Sequence, residues 1–118
     1  MVYLGLNKEV QIVSGVTDLR KSINGLSALL EKEHAVDPLE GGMYAFCNRN
    51  KNRLKILKWS RNGFWLCLNR LEQGHYKWAD DKNKGLISLS CKDFEMLVES
   101  PGLVQKLHSK ELFCDKGK

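Results

Sequence analysis

The dipeptide Asn62-Gly63, set between the runs LKILKW and FWLCLNRL, constrains the fold of this chain more than any other short feature. Asparagine and glycine tolerate the positive φ angles that a tight hairpin turn demands, and the apolar, aromatic runs on either side supply the strands to be joined. The same pattern extends in both directions. MYAFC lies upstream, beyond the polar stretch NRNKNR, and HYKW lies downstream, beyond Glu72-Gln73-Gly74. The middle of the chain therefore reads as an antiparallel meander of about four strands. A sheet of this kind has an apolar side that something must cover.

The segment TDLRKSINGLSALLEKEH supplies the cover. Leu19, Ile23, Leu26 and Leu30 recur at helical spacing. Thr17 is suited to the N-cap and Asp18 to the first turn. The helix should end near His34, because the residue before Pro38 avoids helical geometry. Gly25 falls inside it, where glycine costs about 1 kcal/mol relative to alanine; close packing of helix on sheet would explain that choice, the alternative being a hinge or the close approach of a partner. Lys8 to Val13 reads as a first strand and Leu86 to Leu89 as a short closing one. Ser90, with Asp93 three positions on, resembles a capping box opening a helix that bears Phe94, Leu97 and Val98. Ser100-Pro101 reads as the start of another short helix, through Leu107. The expected architecture is α+β. A single domain over residues 1–113 holds an antiparallel sheet of four to five strands, covered by one long N-terminal helix from Asp18 to His34. Small C-terminal helices follow, and residues 114–118 form a disordered tail.

At 118 residues such a chain buries a core without disulfides or metal. Cys47, Cys67, Cys91 and Cys114 are spaced by 20, 24 and 23 residues, and His34, His75 and His108 lie outside metal-ligand spacing of any of them. That pattern predicts no metal site, no structural disulfide and no cofactor. No apolar run approaches the roughly 20 residues of a membrane span, and the N-terminus lacks the layout of a signal peptide. The expectation is a cytoplasmic protein with no membrane partner.

Charge is where the sequence turns toward function. Between Gly41 and Leu71 stand seven bases (Arg49, Lys51, Arg53, Lys55, Lys58, Arg61 and Arg70) and no Asp or Glu. The formal charge of +5 is thus +7 in that window and −2 over the rest. A block of this kind repels itself unless a partner supplies negative charge, and nucleic acid is the commonest such partner. Tyr44, Phe46, Trp59, Phe64 and Trp65 share the window, so it belongs to a folded surface.

Within it, Arg49, Lys51 and Arg53 alternate with asparagines on an expected hairpin tip, from which long cations can follow phosphates. In the strands around Asn62-Gly63, one face should pack beneath the helix. The other can present an aromatic ring among Arg and Lys, which suits base stacking; the alternative is that the tryptophans fill the core. Arg20 and Lys21, expected in the first helical turn, add cations where the backbone is already positive. They either contact an anion or phosphate, or remain solvated or paired with Asp18. The expected nucleic-acid-binding set is therefore Arg20, Lys21, Arg49, Lys51, Arg53, Lys55, Lys58, Arg61 and Arg70. Catalysis finds no foothold: no nucleophile elbow, zinc-protease helix, phosphate loop or dinucleotide fingerprint occurs, and Asp80-Asp81 is a lone acidic pair in a polar loop.

TDLRKSINGL, followed by GGMYAFCNRNKNRLKILKWSRNGFWLCLNRLEQGHYKW, resembles the small accessory protein of the insertion sequence 66 family, the product of the element's second open reading frame. The resemblance rests on Thr17 to Leu26, Phe46 to Arg49, Lys55 to Trp59, Asn62 to Leu66 and Arg70 to Trp78, and spans roughly residues 8–98. It implies a non-catalytic accessory factor for DNA transposition, encoded beside a larger transposase that performs the strand chemistry. The implied partners are element-end DNA, the cognate transposase and other element-encoded proteins. Two modes of action follow: DNA binding through the basic, aromatic surface, or docking on the transposase without contact to DNA.

Overall fold

Residues 9–99 are described by a computed structural model, and they form a five-stranded mixed sheet with two short helices. In chain order these are β1 (Glu9–Val13), α1 (Ile23–His34), β2 (Met43–Cys47), β3 (Arg53–Ser60), β4 (Gly63–Arg70), β5 (Leu86–Ser90) and α2 (Cys91–Glu99). The strands lie side by side as β4-β3-β2-β1-β5. Their pairings are antiparallel except at β1 and β2, which run parallel with Gln11 beside Tyr44 and Ile12 beside Ala45. No helix among the described residues is long and apolar enough to cross a membrane.

The parallel pair overturns the expectation of an antiparallel sheet under one long N-terminal helix. Parallel neighbours require a crossover that carries the chain back to the starting end, and residues 14–42, with α1 inside them, are that crossover. α1 has 12 residues and begins at Ile23 behind the N-cap Ser22, not at Asp18. Two interactions hold the preceding residues out of the helix. The buried Thr17 donates its N–H to the Cys47 carbonyl at 2.8 Å, and the Asp18 carboxylate accepts the Arg20 N–H at 3.0 Å, closing a local turn. The far end falls where the sequence placed it. Helix α1 stops at His34, and Ala35 takes the left-handed conformation with its N–H on the Leu30 carbonyl.

The sheet is covered on both sides, and β2, in its middle, is buried along its whole length. Alternation along the strands sorts the core into two layers. On one side Val13, Tyr44, Phe46 and Leu57 pack with Leu26 and Leu30 of α1, flanked by Leu19 and Ile23. On the other, Val10, Ile12, Ala45, Leu54 and Ile56 pack with Phe94 and Val98 of α2 and with Tyr76 and Trp78. Leu26 and Leu30 are fully buried, each contributing about 1.5–3 kcal/mol of apolar burial. Gly25 is explained differently from expectation. A Cβ there would meet the Lys21 side chain at 3.1 Å, so the glycine accommodates the chain leading into α1 and not the sheet.

The segment HYKW is not a fourth meander strand. Tyr76 and Trp78 do enter the core, but the Tyr76 N–H bonds the Lys51 carbonyl at 2.8 Å, and the Trp78 indole donates to the Val13 carbonyl at 2.9 Å. The tight hairpin between β3 and β4 is present, with Ser60 paired to Gly63, so its central residues are Arg61-Asn62 and not Asn62-Gly63. Arg61 takes the positive φ of 54°. Leu86–Ser90 closes the far edge against β1, and the Ser90 hydroxyl accepts the Asp93 N–H at 3.0 Å at the start of α2. The helix expected from Ser100-Pro101 and the tail at 114–118 lie outside the described residues.

Candidate nucleic-acid interface

The basic turn between β2 and β3 is built around one side chain. Asn48 accepts the N–H groups of Asn52 and Arg53 on its Oδ1, both at 3.0 Å, and donates from Nδ2 to the Asn52 Oδ1 at 2.8 Å. Lys51 takes a φ of 57° at the tip. The chain after β4 braces the turn from outside. Leu71 and Tyr76 donate their N–H groups at 2.8 Å to the carbonyls of Asn52 and Lys51, and the His75 ring nitrogen lies 2.8 Å from the Asn50 carbonyl. Arg49 and Arg53 therefore project from a fixed backbone.

Two further walls meet this turn. The start of the crossover, Val16 to Arg20, is tied to the end of β2 by the Thr17 bond to Cys47. The ends of β3 and β4 nearest the turn present Arg53, Lys55, Leu68 and Arg70 on the face that α1 covers further along. Together the three walls enclose an open groove of about 770 Å³. Its lining gathers Arg20, Arg49, Arg53, Lys55 and Arg70, five of the nine residues expected from sequence, with Asp18 as the single carboxylate.

The other four lie elsewhere. The Lys21 side chain rests against Gly25, while its carbonyl accepts the Lys55 ammonium at 3.0 Å. Lys51 is ion-paired with Asp80 at 2.7 Å. Lys58 stands opposite Trp65 on the other face of the hairpin, and Arg61 sits at its distant turn. The aromatic part of the expected surface separates from the cations as well. Trp59 packs edge-to-face on Phe64 at 5.0 Å and Trp78 is buried. Trp65, 64% exposed, lies on the face away from the groove, whose lining contains no aromatic ring.

Acids outside the basic window pair with three of the expected cations, two residues away along the chain for Arg20 and Arg70 and far along it for Lys51. Arg70 pairs with Glu72 at 2.8 Å and Arg20 with Asp18 at 2.7 Å. Arg20 thus takes the pairing alternative foreseen for it. Its guanidinium bonds hold the Asp18 carboxyl well below the usual carboxylate range, and Asp18 raises Arg20 in return. Both pairs are exposed, and Glu72 holds Arg70 through one carboxylate oxygen, so a polyanion can exchange with that carboxylate at small cost. Arg49 and Arg53 form no ion pair among the described residues.

Sequence reasoning missed Asn48 as the organiser of the turn, although an asparagine at each end of a basic tip was the visible signal. The remaining titratable groups serve the fold. Burial pushes the Cys47 thiol up to about 12 and raises Cys67 and Tyr76. Asp80 pairs with Lys51, and Asp81 caps a short turn through the Asn83 N–H at 2.9 Å. Among the described residues no three His, Cys, Asp or Glu side chains cluster as metal ligands.

The chain belongs to the family described as IS66 Orf2 like protein, whose profile matches residues 8–108. It is an accessory protein associated with transposition of insertion sequences of that family. It is similar to two proteins of Sinorhizobium fredii (strain NBRC 101917 / NGR234). "Uncharacterized protein y4hO" is 29% identical over 98 residues, covering 83% of this chain and 84% of that protein. "Uncharacterized protein y4jC" is 28% identical over 89 residues, covering 75% of each. No solved structure matches the chain significantly.

Proposed function

We propose that this protein is a cytoplasmic, non-catalytic accessory factor that assists transposition by binding DNA through the groove between the crossover, the basic turn and the β3–β4 ends. One observation carries the reading: five cations from three separate stretches of chain converge on one open groove that holds a single carboxylate. Cations brought together by folding repel one another, and phosphates relieve that repulsion. Besides Asp18 and Thr17, the lining is made of guanidinium, ammonium and amide groups with the apolar Val16, Leu19 and Leu68, and it holds no ring. Such a surface follows a sugar–phosphate backbone and carries no base-stacking platform. Family membership supplies the setting, transposition of an insertion sequence.

The test is binding of element-end duplex DNA as salt is varied, with wild type compared against a variant lacking Arg49, Arg53 and Arg70. A salt-sensitive affinity that the variant loses supports the reading. An affinity that is equal in both, or absent in the wild type, refutes it.

A further inference from the structure

We propose that the outer edge of β4 is a docking site for an extended, acidic segment of a partner protein, which joins the sheet as a sixth strand. The site shares Arg53, Leu68 and Arg70 with one wall of the groove, but the argument for it does not depend on the DNA reading.

Strand β4 ends the sheet, with β3 on one side and no described strand on the other. It is eight residues long and has no proline, and its one charge, Arg70, stands at its last position, so the usual means of blunting an edge are absent from its centre. The opposite edge, β5, is five residues, carries two serines and runs directly into α2. Across β4 the pair closing the two-residue turn, Ser60 with Gly63, is hydrogen-bonded, and every second pair after it follows suit. The backbone N–H and C=O groups of Phe64, Leu66, Leu68 and Arg70 therefore point outward. Leu68 and Trp65, on opposite faces of the strand, are 61% and 64% exposed. An added strand would satisfy the open backbone groups and cover both side chains.

Charge selects the occupant. Residues 53–72 hold five bases (Arg53, Lys55, Lys58, Arg61 and Arg70) and one acid, Glu72, which pairs with Arg70, a net charge of +4. Antiparallel pairing of β4 with a second copy of itself would set the Lys58–Arg61 end of each copy against the Arg53–Arg70 end of the other. Like charges would meet at both ends. An extended segment with an apolar centre beside Trp65 and carboxylates at its ends meets cations at both ends instead.

The probe is the fluorescein-labelled peptide Glu-Asp-Val-Thr-Val-Thr-Val-Asp-Glu, followed by anisotropy with the full chain. It should bind, and the analogue with Lys and Arg in place of its acids should not. N-methylation of alternate peptide residues in one register should abolish binding, while methylation in the other register should leave it. Trp65→Ala should weaken it about ten-fold or more, as loss of an aromatic anchor does. Trp65 is exposed, so its thermal midpoint should not change; if the variant misfolds, the two methylated peptides decide on wild type alone. Failure of the acidic peptide to bind, equal loss in both registers, or displacement by duplex DNA with no dependence on Trp65 would overturn the proposal. So would a dimer that Trp65→Ala dissolves, which would make a second copy the occupant.

Discussion

Replacing Arg49, Arg53 and Arg70 together with alanine separates a groove from a merely basic surface. Each phosphate neutralised on duplex DNA contributes roughly −0.9 to the log–log slope of affinity against salt. Arg20 is held by Asp18 through three side-chain hydrogen bonds, which leaves Arg49, Arg53, Lys55 and Arg70, so about four phosphates neutralised, and a slope of about −3.6, is the working figure for wild type. Between about 50 and 200 mM salt that slope weakens binding about 150-fold. Without the three arginines the slope falls to about −0.9 and the same change weakens binding only about 3- to 4-fold. The control is Lys51, Lys58 and Arg61 replaced together, an identical loss of net charge from positions outside the groove. Its slope should stay within about one unit of wild type. Both sets can be titrated by anisotropy on labelled duplex, and urea melts should put the groove variant within about 1 kcal/mol of wild type, because exposed charges contribute little to the fold. If both triple variants flatten the slope equally, net charge governs binding and the groove argument is wrong.

Three further outcomes follow from the geometry. Asn48→Ala strips the acceptor from two backbone N–H groups and should cost about 2 kcal/mol in urea unfolding; a change below about 0.5 kcal/mol would show that the turn does not depend on it. Arg61→Gly relieves a positive φ at a residue outside the groove. It should stabilise the protein by about 1 kcal/mol in calorimetry while leaving DNA affinity in place, and a lower melting temperature would contradict the turn geometry. Burial raises the Cys47 thiol from 9.0 to about 12, so the unfolded chain loses this proton first, and the contribution is full below pH 9 and lost as pH rises toward 12. Cys47→Ala should therefore flatten the alkaline fall of stability over that window, where Tyr76, shifted in the same direction, supplies the remainder.

Some local signals in the sequence proved sound, others misled, and long-range ones were out of reach. The leucine spacing located α1 and its buried face, and the turn residues located the β3–β4 hairpin to within one position. HYKW misled because alternation reports which side chains are buried, not whether the backbone joins a ladder; its amides bond a turn and its indole a strand end. Thr17 and Asp18 look like a helix start, yet a contact to Cys47 and a bond to Arg20 engage them first. The site shows the same division. The tip at Arg49 to Arg53 is legible because its residues are contiguous. The approach of Arg20 and Arg70 depends on the sheet order, and the pairing of Lys51 with Asp80 joins residues far apart in sequence.

The position of β1 sets the timetable by which the chain can fold. The β3–β4 hairpin joins neighbours and can close within microseconds. β1, made early in synthesis, is flanked on one side by β2 and on the other by β5, where Glu9 meets Ser90. That last seam cannot form until the ribosome has released residue 90. A nascent chain, or one truncated before Leu86, must therefore hold β1 with one side open and ready to pair with another molecule. β5 thus closes an edge that every earlier strand leaves open, and the finished five-stranded sheet depends on it.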